Sequence, residues 1–210
     1  MYKKKSLLIT FEGVEGSGKS YHSRKLFEKI KKRKIPSILT REPGGLKNVE
    51  QIRKILLNGK KNKFDKTTDA LLYLAARNEH IIKILKPAIK KKKVIICDRF
   101  IDSTFAYQIH GNKVNKDLVN NVHKKILSNI KPDLTFILFV KISKALSRIN
   151  KRKTKNRYDK FSKKFYIKVQ NAFIKIAKQN KKRCVIINTN KDIKQTETVI
   201  FNKFVNKLKK

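Results

Sequence analysis

Short apolar segments alternate with longer amphipathic segments along this chain. Each short segment has five to eight residues, and most are apolar on both faces, as in strands of a parallel sheet that is covered on both sides. The predicted strands are 6–11, 36–40, 93–97, 133–140 and 183–188. In the longer segments apolar residues recur at three- and four-residue steps, which predicts helices. The predicted helices are 18–32, 46–57, 66–90, 115–129, 143–150, 160–180 and 192–209.

This alternation predicts an α/β fold with a doubly wound parallel sheet. In such folds ligands bind just outside the carboxyl ends of the strands. The chain has 210 residues, enough to bury one substantial core but short for two. We therefore expect a single domain over 1–210. The Lys-rich stretch 150–160 has no periodic apolar face, and we expect it to be a mobile loop between two helices.

The chain's only glycine-rich run directly follows the first predicted strand. It contains Gly13, Gly16 and Gly18, and "GVEGSGKS" at 13–20 matches the pattern GxxxxGK[ST]. Between a strand and a helix this pattern forms a loop whose backbone N–H groups surround phosphates. Lys19 would reach the β- and γ-phosphates, and the Ser20 hydroxyl would ligate Mg²⁺. The predicted nucleoside triphosphate site is Gly13, Val14, Glu15, Gly16, Ser17, Gly18, Lys19 and Ser20.

This phosphate-binding loop (P-loop) is shared by GTPases, helicases, transporters and kinases, so other features must separate them. GTPases also carry a DxxG and an [NT]KxD pattern. The chain has no DxxG, and "NKDI" at 190–193 places its Asp one residue too early. Helicases and transporters need many more than 210 residues. These observations favour a small kinase.

Acidic residues are scarce, because the chain has 15 of them against 55 Lys and Arg, for a formal net charge of +40. Several nonetheless follow the predicted strands near the P-loop, namely Glu12, Glu15, Glu42, Asp98 and Asp102. Carboxylates beside a phosphate site repel the anion unless a cation intervenes, which indicates Mg²⁺. Arg41 and Arg99 lie in the same segments and could neutralise a second phosphate group. Two anions facing each other across a metal ion is the arrangement of a phosphoryl-transfer site.

The high positive charge also raises the alternative of a nucleic-acid-binding P-loop ATPase. Only ten of the 55 basic residues are Arg, however, and the Lys residues are dispersed along the whole chain. Nucleic-acid-binding surfaces are more often localised patches with Arg and aromatic residues. We therefore expect no specific nucleic-acid partner.

The cysteines and the amino-terminal residues indicate a cytoplasmic protein. Cys97 and Cys184 adjoin short apolar runs without a CxxC pattern, as expected of buried free thiols in a reducing compartment. The apolar run within "MYKKKSLLIT" is too short for a signal peptide, and no segment approaches 18 apolar residues. We expect no membrane association. The histidines have no triad or metal-ligand spacing, and solvated or helix-capping roles are expected for His22, His80, His110 and His123.

Five sequence blocks occur in the order and spacing of one enzyme family. They are "FEGVEGSGKS" (11–20), "TREPGG" (40–45), "LLYLAAR" (71–77), "DRF" with "STFAYQ" (98–108) and "KPDLTFIL" (131–138). Through these blocks the chain resembles thymidylate kinases from end to end. The resemblance implies transfer of the γ-phosphoryl group of ATP to dTMP, with Mg²⁺ as cofactor. It also implies a P-loop nucleoside monophosphate kinase fold, with a five-stranded parallel sheet in the order 2-3-1-4-5, and a homodimer.

The same resemblance assigns residues to dTMP by matching position. Arg41 would hold the dTMP phosphate, with Arg99 close to the same anion. Arg77 would donate to the thymine edge, and Tyr73, one helical turn earlier, would stack on the base. Further expected contacts to dTMP are Glu12, Ser103, Thr104, Tyr107 and Gln108. Asp98 is the expected acidic partner of Mg²⁺ or its waters.

The Lys-rich loop then becomes a candidate lid, at about 148–160. One subclass of the family carries an Arg inside the P-loop, whereas the common bacterial subclass supplies Arg from the lid. This P-loop has no Arg, and the lid has Arg148, Arg152 and Arg157. Arg148 is expected at ATP. Arg152 or Arg157 is expected to stabilise the transferring phosphoryl group together with Lys19 and Arg99, a contribution that reaches about 10³- to 10⁵-fold in rate.

The chain departs from the family pattern at some positions. The family often has an acid at the end of the fourth strand and a Pro-Glu pair just after it, whereas this chain has Phe139, Ile142 and Ser143 at those positions. A small hydroxyl residue is common at the position of Tyr21. These departures concern the approach of the lid and the geometry of loops. A kinase for another nucleotide or small molecule stays an alternative, in which Tyr73 and Arg77 would not govern base choice.

Overall fold

Five parallel strands form one sheet in the order β2-β3-β1-β4-β5, as the resemblance implied. The structure is a computed structural model that describes residues 6–60, 62–154 and 156–209. The strands are β1 (Leu7–Glu12), β2 (Ser37–Arg41), β3 (Val94–Asp98), β4 (Leu134–Phe139) and β5 (Cys184–Asn188). Each overlaps its predicted segment closely, because near-continuous apolar runs of this length suit only a covered strand.

Helices flank the sheet on both faces. They are α1 (Lys19–Lys32), α2 (Lys47–Leu57), α3 (Lys66–His80), α4 (Lys86–Lys90), α5 (Ile101–Thr104), α6 (Lys116–Ile126), α7 (Ile142–Asn150), α8 (Lys163–Gln179) and α9 (Ile193–Lys209). A π-helical segment, Ile81–Leu85, joins α3 to α4, and a second one, Phe105–Gly111, extends α5. A 3₁₀ turn, Arg157–Lys160, precedes α8.

The helical segment after β3 was not predicted from the sequence. Its polar side chains, such as Ser103, Thr104 and Gln108, are buried rather than exposed. A helix without a solvated polar face lacks the amphipathic period on which the prediction depends. The predicted helix 66–90 is also interrupted, because the backbone adopts the π-helical segment between α3 and α4.

The core lies on both faces of the central strands. On one face Ile9 and Phe11 pack with Phe136 of β4 and with apolar residues of α1 and α9. On the other face Leu8 packs with Ile95 and with the π-helical segment before α4. Every residue of β1 is buried, so the strand that leads into the P-loop is held from all sides.

The strand register brings the predicted site residues to one edge of the sheet. Phe11 pairs with Asp98 in β3, and Arg41 at the end of β2 pairs with the same residue. The P-loop, Arg41 and Asp98 therefore emerge side by side at the carboxyl ends of three adjacent strands, where ligands bind in this fold.

The two cysteines are free and buried, as predicted. Across residues 6–60, 62–154 and 156–209, none of the helices has both the length and the apolar character needed to cross a bilayer.

Candidate active site

The P-loop is held against the end of β4 and the helix that follows it, α7. Gly13 and Gly16 have positive φ angles of 142° and 75°. A Cβ atom at Gly16 would lie 2.5 Å from the backbone oxygen of Ala145 in α7, and one at Gly13 would lie 2.7 Å from that of Leu138. Such distances are shorter than real Cβ contacts, so only glycine allows this close approach of backbone to backbone.

Other P-loop residues contribute backbone rather than side chains. Val14 is fully buried in the core, and Ser17 is also buried, its Oγ without a hydrogen-bond partner among the described residues. Glu15, Lys19 and Ser20 differ, because each has a polar side-chain contact of its own, which for Glu15 is the ion pair with the residue directly after β3, Arg99. This fits a phosphate site made by main-chain N–H groups at the start of α1.

Lys19 holds its ammonium group inside the loop. Its Nζ donates to the backbone oxygen of Val14 at 2.8 Å, and only 6% of the residue is exposed. Burial, followed by the positive charge of Arg99, lowers the pKa of Lys19 to about 8. An anionic phosphate in the loop would favour the charged form and reverse part of that shift.

Ser20 and Asp98 form the candidate magnesium site. Ser20 Oγ donates to Asp98 Oδ2 at 2.5 Å. Asp98 Oδ1 is buried and has no partner among the described residues. A hydroxyl and a carboxylate are hard oxygen donors, which fit Mg²⁺, an ion usually bound by one or two carboxylates plus phosphates and water. The described residues contain no cluster of three or more His, Cys, Asp or Glu that could hold a metal ion by themselves.

Arg99 joins the P-loop to the segment after β3. Its Nη2 donates to Glu15 Oε1 at 2.5 Å, and its Nη1 donates to Ser103 Oγ at 3.0 Å. The Tyr107 hydroxyl donates to the other oxygen of Glu15. Burial raises the pKa of Glu15, but the charges of Arg99 and Lys19 outweigh it, so the net pKa is lowered. Glu15 is therefore an ionised partner that orients Arg99 and Tyr107.

A cavity opens beside Arg99. It collects seven of the residues that the resemblance assigned to dTMP, namely Tyr73, Arg77, Arg99, Ser103, Thr104, Tyr107 and Gln108. Sequence reasoning missed five other lining residues, Pro43, Arg53, Leu57, Asn156 and Tyr158. We call this the acceptor cavity.

Arg77 forms part of the wall of the acceptor cavity and is almost fully bonded. Its Nε donates to Glu42 Oε2 at 2.7 Å, and its Nη2 donates to the backbone oxygen of Phe100 at 2.9 Å. Its Nη1 bonds to Thr104 Oγ1 and to His123 Nε2, both at 2.7 Å. Described residues thus take four of its five N–H groups, so the guanidinium is rigid and one Nη2 N–H is left for a ligand.

Two histidines support this arginine. Burial, and then the charge of Arg77, lowers the pKa of His123 to about 3, so its neutral ring accepts from Arg77. His80 bonds through Nδ1 to Glu42 Oε1 at 2.9 Å and through Nε2 to Thr40 Oγ1 at 2.7 Å. The predicted solvated or capping roles are therefore wrong for both. His80 follows Arg77 by three residues on one helix, a spacing that could have signalled a shared partner.

His22 is also buried, whereas His110 is half-buried. Burial lowers the pKa of His22 to about 4. The predicted solvated or capping role is therefore wrong for His22 too.

A second cavity lies beside the P-loop. Six of the residues that line it had been assigned to the site from the sequence, namely Gly16, Gly18, Lys19, Ser20, Arg148 and Arg152. Arg148 Nη1 donates to the backbone oxygen of Gly16 at 2.9 Å, so α7 is tied to the loop. Thr189 and Lys191, just after β5, also line it and were missed, because their segment has no phosphate-binding pattern. We call this the donor cavity.

The two cavities meet at a basic junction. A cavity between them is lined by five basic residues, Lys19, Arg41, Arg53, Arg99 and Arg152, and by three acids, Glu15, Glu42 and Asp98. Arg41 reaches it from the end of β2, with its Nη2 2.8 Å from Glu50 Oε1 and half of its side chain exposed. Five basic residues against three acids leave a net positive charge around one space, which can accommodate two phosphate groups that face each other.

Comparison with known proteins gives this arrangement a family. A model of the thymidylate kinase family matches residues 11–200. The chain belongs to the thymidylate kinase family.

Its relatives cover nearly the whole chain. It is 41% identical over 205 residues to the thymidylate kinase of Mycoplasma capricolum subsp. capricolum, covering 97% of this chain and 96% of that relative. It is 43% identical over 202 residues to the thymidylate kinase of Wolbachia sp. subsp. Brugia malayi, covering 94% and 95%. The crystal structure of thymidylate kinase from Ehrlichia chaffeensis has a TM-score of 0.77 at 31% identity, covering 95% of this chain and 99% of that one. The resemblance inferred from five sequence blocks is confirmed.

Two acids that the sequence had placed around the phosphates do not line either cavity of this thymidylate kinase fold. Glu12 is fully buried and accepts from the Phe100 N–H at 2.7 Å and from Ser103 Oγ at 2.6 Å. Burial, and then the nearby charge of Asp102, raises its pKa. Asp102 itself pairs with Arg183 at 2.7 Å. Both carboxylates therefore hold the helical segment after β3, and the expected contact of Glu12 with dTMP is not supported.

Arg157 is likewise absent from the donor cavity and the basic junction. It is 1% exposed and pairs with Asp69 of α3. Of the two lid arginines expected at the transferring phosphoryl group, the structure brings only Arg152 to the P-loop. The reason is that Arg157 begins the 3₁₀ turn that packs against α3.

Proposed function

We propose that this chain transfers the γ-phosphoryl group of ATP to dTMP, giving ADP and dTDP for dTTP synthesis. The observation that carries the proposal is the basic junction, where a P-loop cavity and an acceptor cavity meet at Lys19, Arg41, Arg99 and Arg152. Membership of the thymidylate kinase family supports dTMP as the acceptor and ATP as the donor.

On the donor side, the P-loop N–H groups and Lys19 would bind the β- and γ-phosphates. Arg148 lies beside the loop, tied to Gly16, and would bind ATP there. Ser20 and Asp98 would hold Mg²⁺ directly or through its waters. When bound, Mg²⁺ supplies a positive charge that neutralises the phosphate oxygens.

On the acceptor side, the thymine would stack on Tyr73 and accept the remaining N–H of Arg77. The hydroxyl and amide groups of Ser103, Thr104, Tyr107 and Gln108 line the same cavity and would contact base and sugar. Arg41 and Arg99 would bind the dTMP phosphate, which leaves one of its oxygens directed at the γ-phosphorus.

The reaction needs no side-chain nucleophile or base. The attacking atom is a phosphate oxygen of dTMP, which is already ionised at neutral pH. Catalysis then depends on alignment of the two nucleotides and on stabilisation of the charge on the transferring group. Arg152, which lines the basic junction together with Lys19 and Arg99, would perform the second task.

Two further features are part of this proposal. We expect a homodimer, which size-exclusion chromatography with light scattering tests directly. We also expect the enzyme to work in the cytoplasm, where its buried free thiols stay reduced.

A coupled assay of ADP release tests the proposed function. Folded protein with Mg²⁺ and ATP is offered dTMP, dUMP, dCMP, dGMP, shikimate or nucleic acid. We expect turnover with dTMP, and slower turnover with dUMP by about 10- to 200-fold, because one methyl group contributes roughly 1–3 kcal/mol of discrimination. Absence of dTMP-dependent turnover would overturn the proposal. ATP hydrolysis stimulated by nucleic acid and indifferent to dTMP would favour the alternative ATPase.

A further inference from the structure

The 3₁₀ turn at Arg157–Lys160 contacts three parts of the site at once. It belongs to the lid, and Asn156 caps it by accepting from the Tyr158 N–H at 2.8 Å. Asp159 closes the cap by accepting from the Asn156 N–H at 2.9 Å. These two bonds make the turn a small rigid unit within a basic loop. Its side chains therefore have fixed directions relative to one another.

The first contact is a buried ion pair between the turn and α3. Arg157 is 1% exposed, and its Nη2 pairs with Asp69 Oδ2. Asp69 lies in the first turn of α3, the helix that carries Tyr73 and Arg77. The lid is thus anchored to the helix that forms one wall of the acceptor cavity.

The second contact leads from the turn to the basic junction. Arg152 Nη1 donates to Asp159 Oδ1 at 3.0 Å, and the Asp159 side chain is fully buried. Arg152 itself is partly exposed and lines both the donor cavity and the basic junction. Because Asp159 is fixed by the cap, it directs Arg152 towards the P-loop.

The third contact places an aromatic ring over the acceptor cavity. Tyr158 lines that cavity, with its ring centroid 6.1 Å from Tyr73 and 6.3 Å from Tyr107. Arg157 Nη2 also donates to the Tyr158 hydroxyl at 3.2 Å. The arginine that anchors the turn therefore holds this ring as well.

The ion pair is poorly suited to a purely stabilising role. Asp69 Oδ1 and both Nε and Nη1 of Arg157 are buried without hydrogen-bond partners among the described residues. Buried charges whose other polar atoms are unsatisfied gain little net stability from their attraction. The pair does impose one geometry on the lid.

We propose that Asp69 and Arg157 are positioning residues, which anchor the lid to α3 so that Asp159 presents Arg152 to the phosphates and Tyr158 closes the acceptor cavity. This proposal rests on the proposed function, because it assigns a role in the same reaction. It gives Arg157 a function other than the direct contact with phosphate that was expected from the sequence.

A double-mutant cycle on kcat tests the link to Arg152. Asp69→Asn removes the charge that pairs with Arg157, and we expect kcat to fall by about 10- to 100-fold, as misplacement of aligned groups does. In an Arg152→Ala background the same substitution should change kcat by less than about twofold, because residues that act as a unit are not additive. Equal losses in both backgrounds would overturn the proposal.

The KM for dTMP provides a second readout. Because Tyr158 closes the acceptor cavity, Asp69→Asn should raise this KM several-fold in both backgrounds, whereas the KM for ATP changes little. The matched control is Asp65→Asn, which removes the same charge at the N-cap of the same helix and retains a capping oxygen. Its kcat should match that of the unsubstituted protein. If Asp69→Asn does not fold, Arg157→Lys replaces it in the double-mutant cycle. Arg157→Lys should reduce kcat by a smaller factor, and this loss should again disappear in the Arg152→Ala background.

A fluorescence measurement tests the anchor without turnover. The chain has no Trp, so Lys153→Trp at an exposed lid position gives a single reporter. Asp69→Asn should lower the anisotropy of this Trp, and Asp65→Asn should leave it unchanged. Unchanged anisotropy after Asp69→Asn would overturn the anchor. If Asp69→Asn lowers the anisotropy as expected but the protein has no dTMP kinase activity, only the proposed function is overturned.

Discussion

Arg77 donates from Nη1 to His123 Nε2 at 2.7 Å, and both residues are buried. The bond requires a neutral imidazole that accepts, which the pKa of about 3 ensures at neutral pH. Arg77 also pairs with Glu42 at 2.7 Å. The candidate base-reading guanidinium is thus held between an ionised carboxylate and a neutral ring, and each of these partners gives a separate test.

The first prediction concerns stability against pH. The pKa of His123 is about 3 in the folded protein, against an ordinary value of 6.5 for histidine. Below pH 6.5 the unfolded chain binds a proton that the folded protein does not, so stability falls as the pH decreases towards 3. The loss from this residue should be about 2 kcal/mol between pH 7 and pH 5. Urea unfolding at both pH values measures it.

His123→Gln separates this effect from other groups, because the Gln amide oxygen can accept from Arg77 and does not titrate. The variant should lose less stability than the unsubstituted protein between pH 7 and pH 5. His22, whose pKa is lowered to about 4, contributes to both proteins and cancels in the difference. Equal losses would show that His123 does not titrate as described.

The second prediction concerns Arg77 itself. Arg77→Ala should raise the KM for dTMP and leave ATP binding nearly unchanged, because Arg77 lines only the acceptor cavity. The variant should also lose about 3–5 kcal/mol of stability, since the buried Glu42 then keeps a charge without its main partner. Steady-state kinetics and urea unfolding measure the two effects. The control is Arg24→Ala, at an exposed position on α1; an equal loss of ATP and dTMP binding in Arg77→Ala would contradict the assigned role.

The third prediction concerns the candidate magnesium site. Asp98→Asn removes the carboxylate that accepts from Ser20, and we expect the Mg²⁺ concentration for half-maximal activity to rise by about 10- to 100-fold. A titration of activity with Mg²⁺ at saturating ATP and dTMP measures this. Asp117→Asn, at an exposed position on α6, removes the same charge far from the P-loop and should leave the titration unchanged. An unaltered Mg²⁺ requirement in Asp98→Asn would remove Asp98 from the site.

The fourth prediction concerns proton uptake by the P-loop lysine. The pKa of Lys19 is about 8 because burial disfavours its charge, and the phosphates of ATP would raise it. Binding of ATP with Mg²⁺ near pH 8.5 should therefore take up a fraction of a proton. Isothermal titration calorimetry in buffers of different ionisation enthalpy measures this number. Lys19→Met should abolish the uptake, and buffer-independent heats in the unsubstituted protein would contradict the lowered pKa.

The sequence alone was sufficient for the strands, the P-loop and the class of reaction. Five short apolar runs between longer amphipathic segments predicted the strands of a parallel sheet, because near-continuous apolar runs of this length favour strands that helices cover. Gly13, Gly16, Lys19 and Ser20 could be predicted as phosphate-binding residues from their spacing, since such a loop would bind phosphate through its own local backbone. The resemblance to thymidylate kinases supplied the strand order and seven of the fourteen residues that line the acceptor cavity.

Only the tertiary structure decided which side chains face a ligand and which face the protein. Glu42 and His123 lie 35 and 46 residues from Arg77 along the chain, and no local pattern marks them as its partners. Arg152 and Arg157 are the same residue type in the same Lys-rich loop, so the sequence does not distinguish them. In the structure Arg152 lines the basic junction, whereas Arg157 is buried and pairs with Asp69. The physical reason is that hydrophobic periodicity and backbone geometry are local properties, whereas the pairing of buried charges depends on which elements packing brings together.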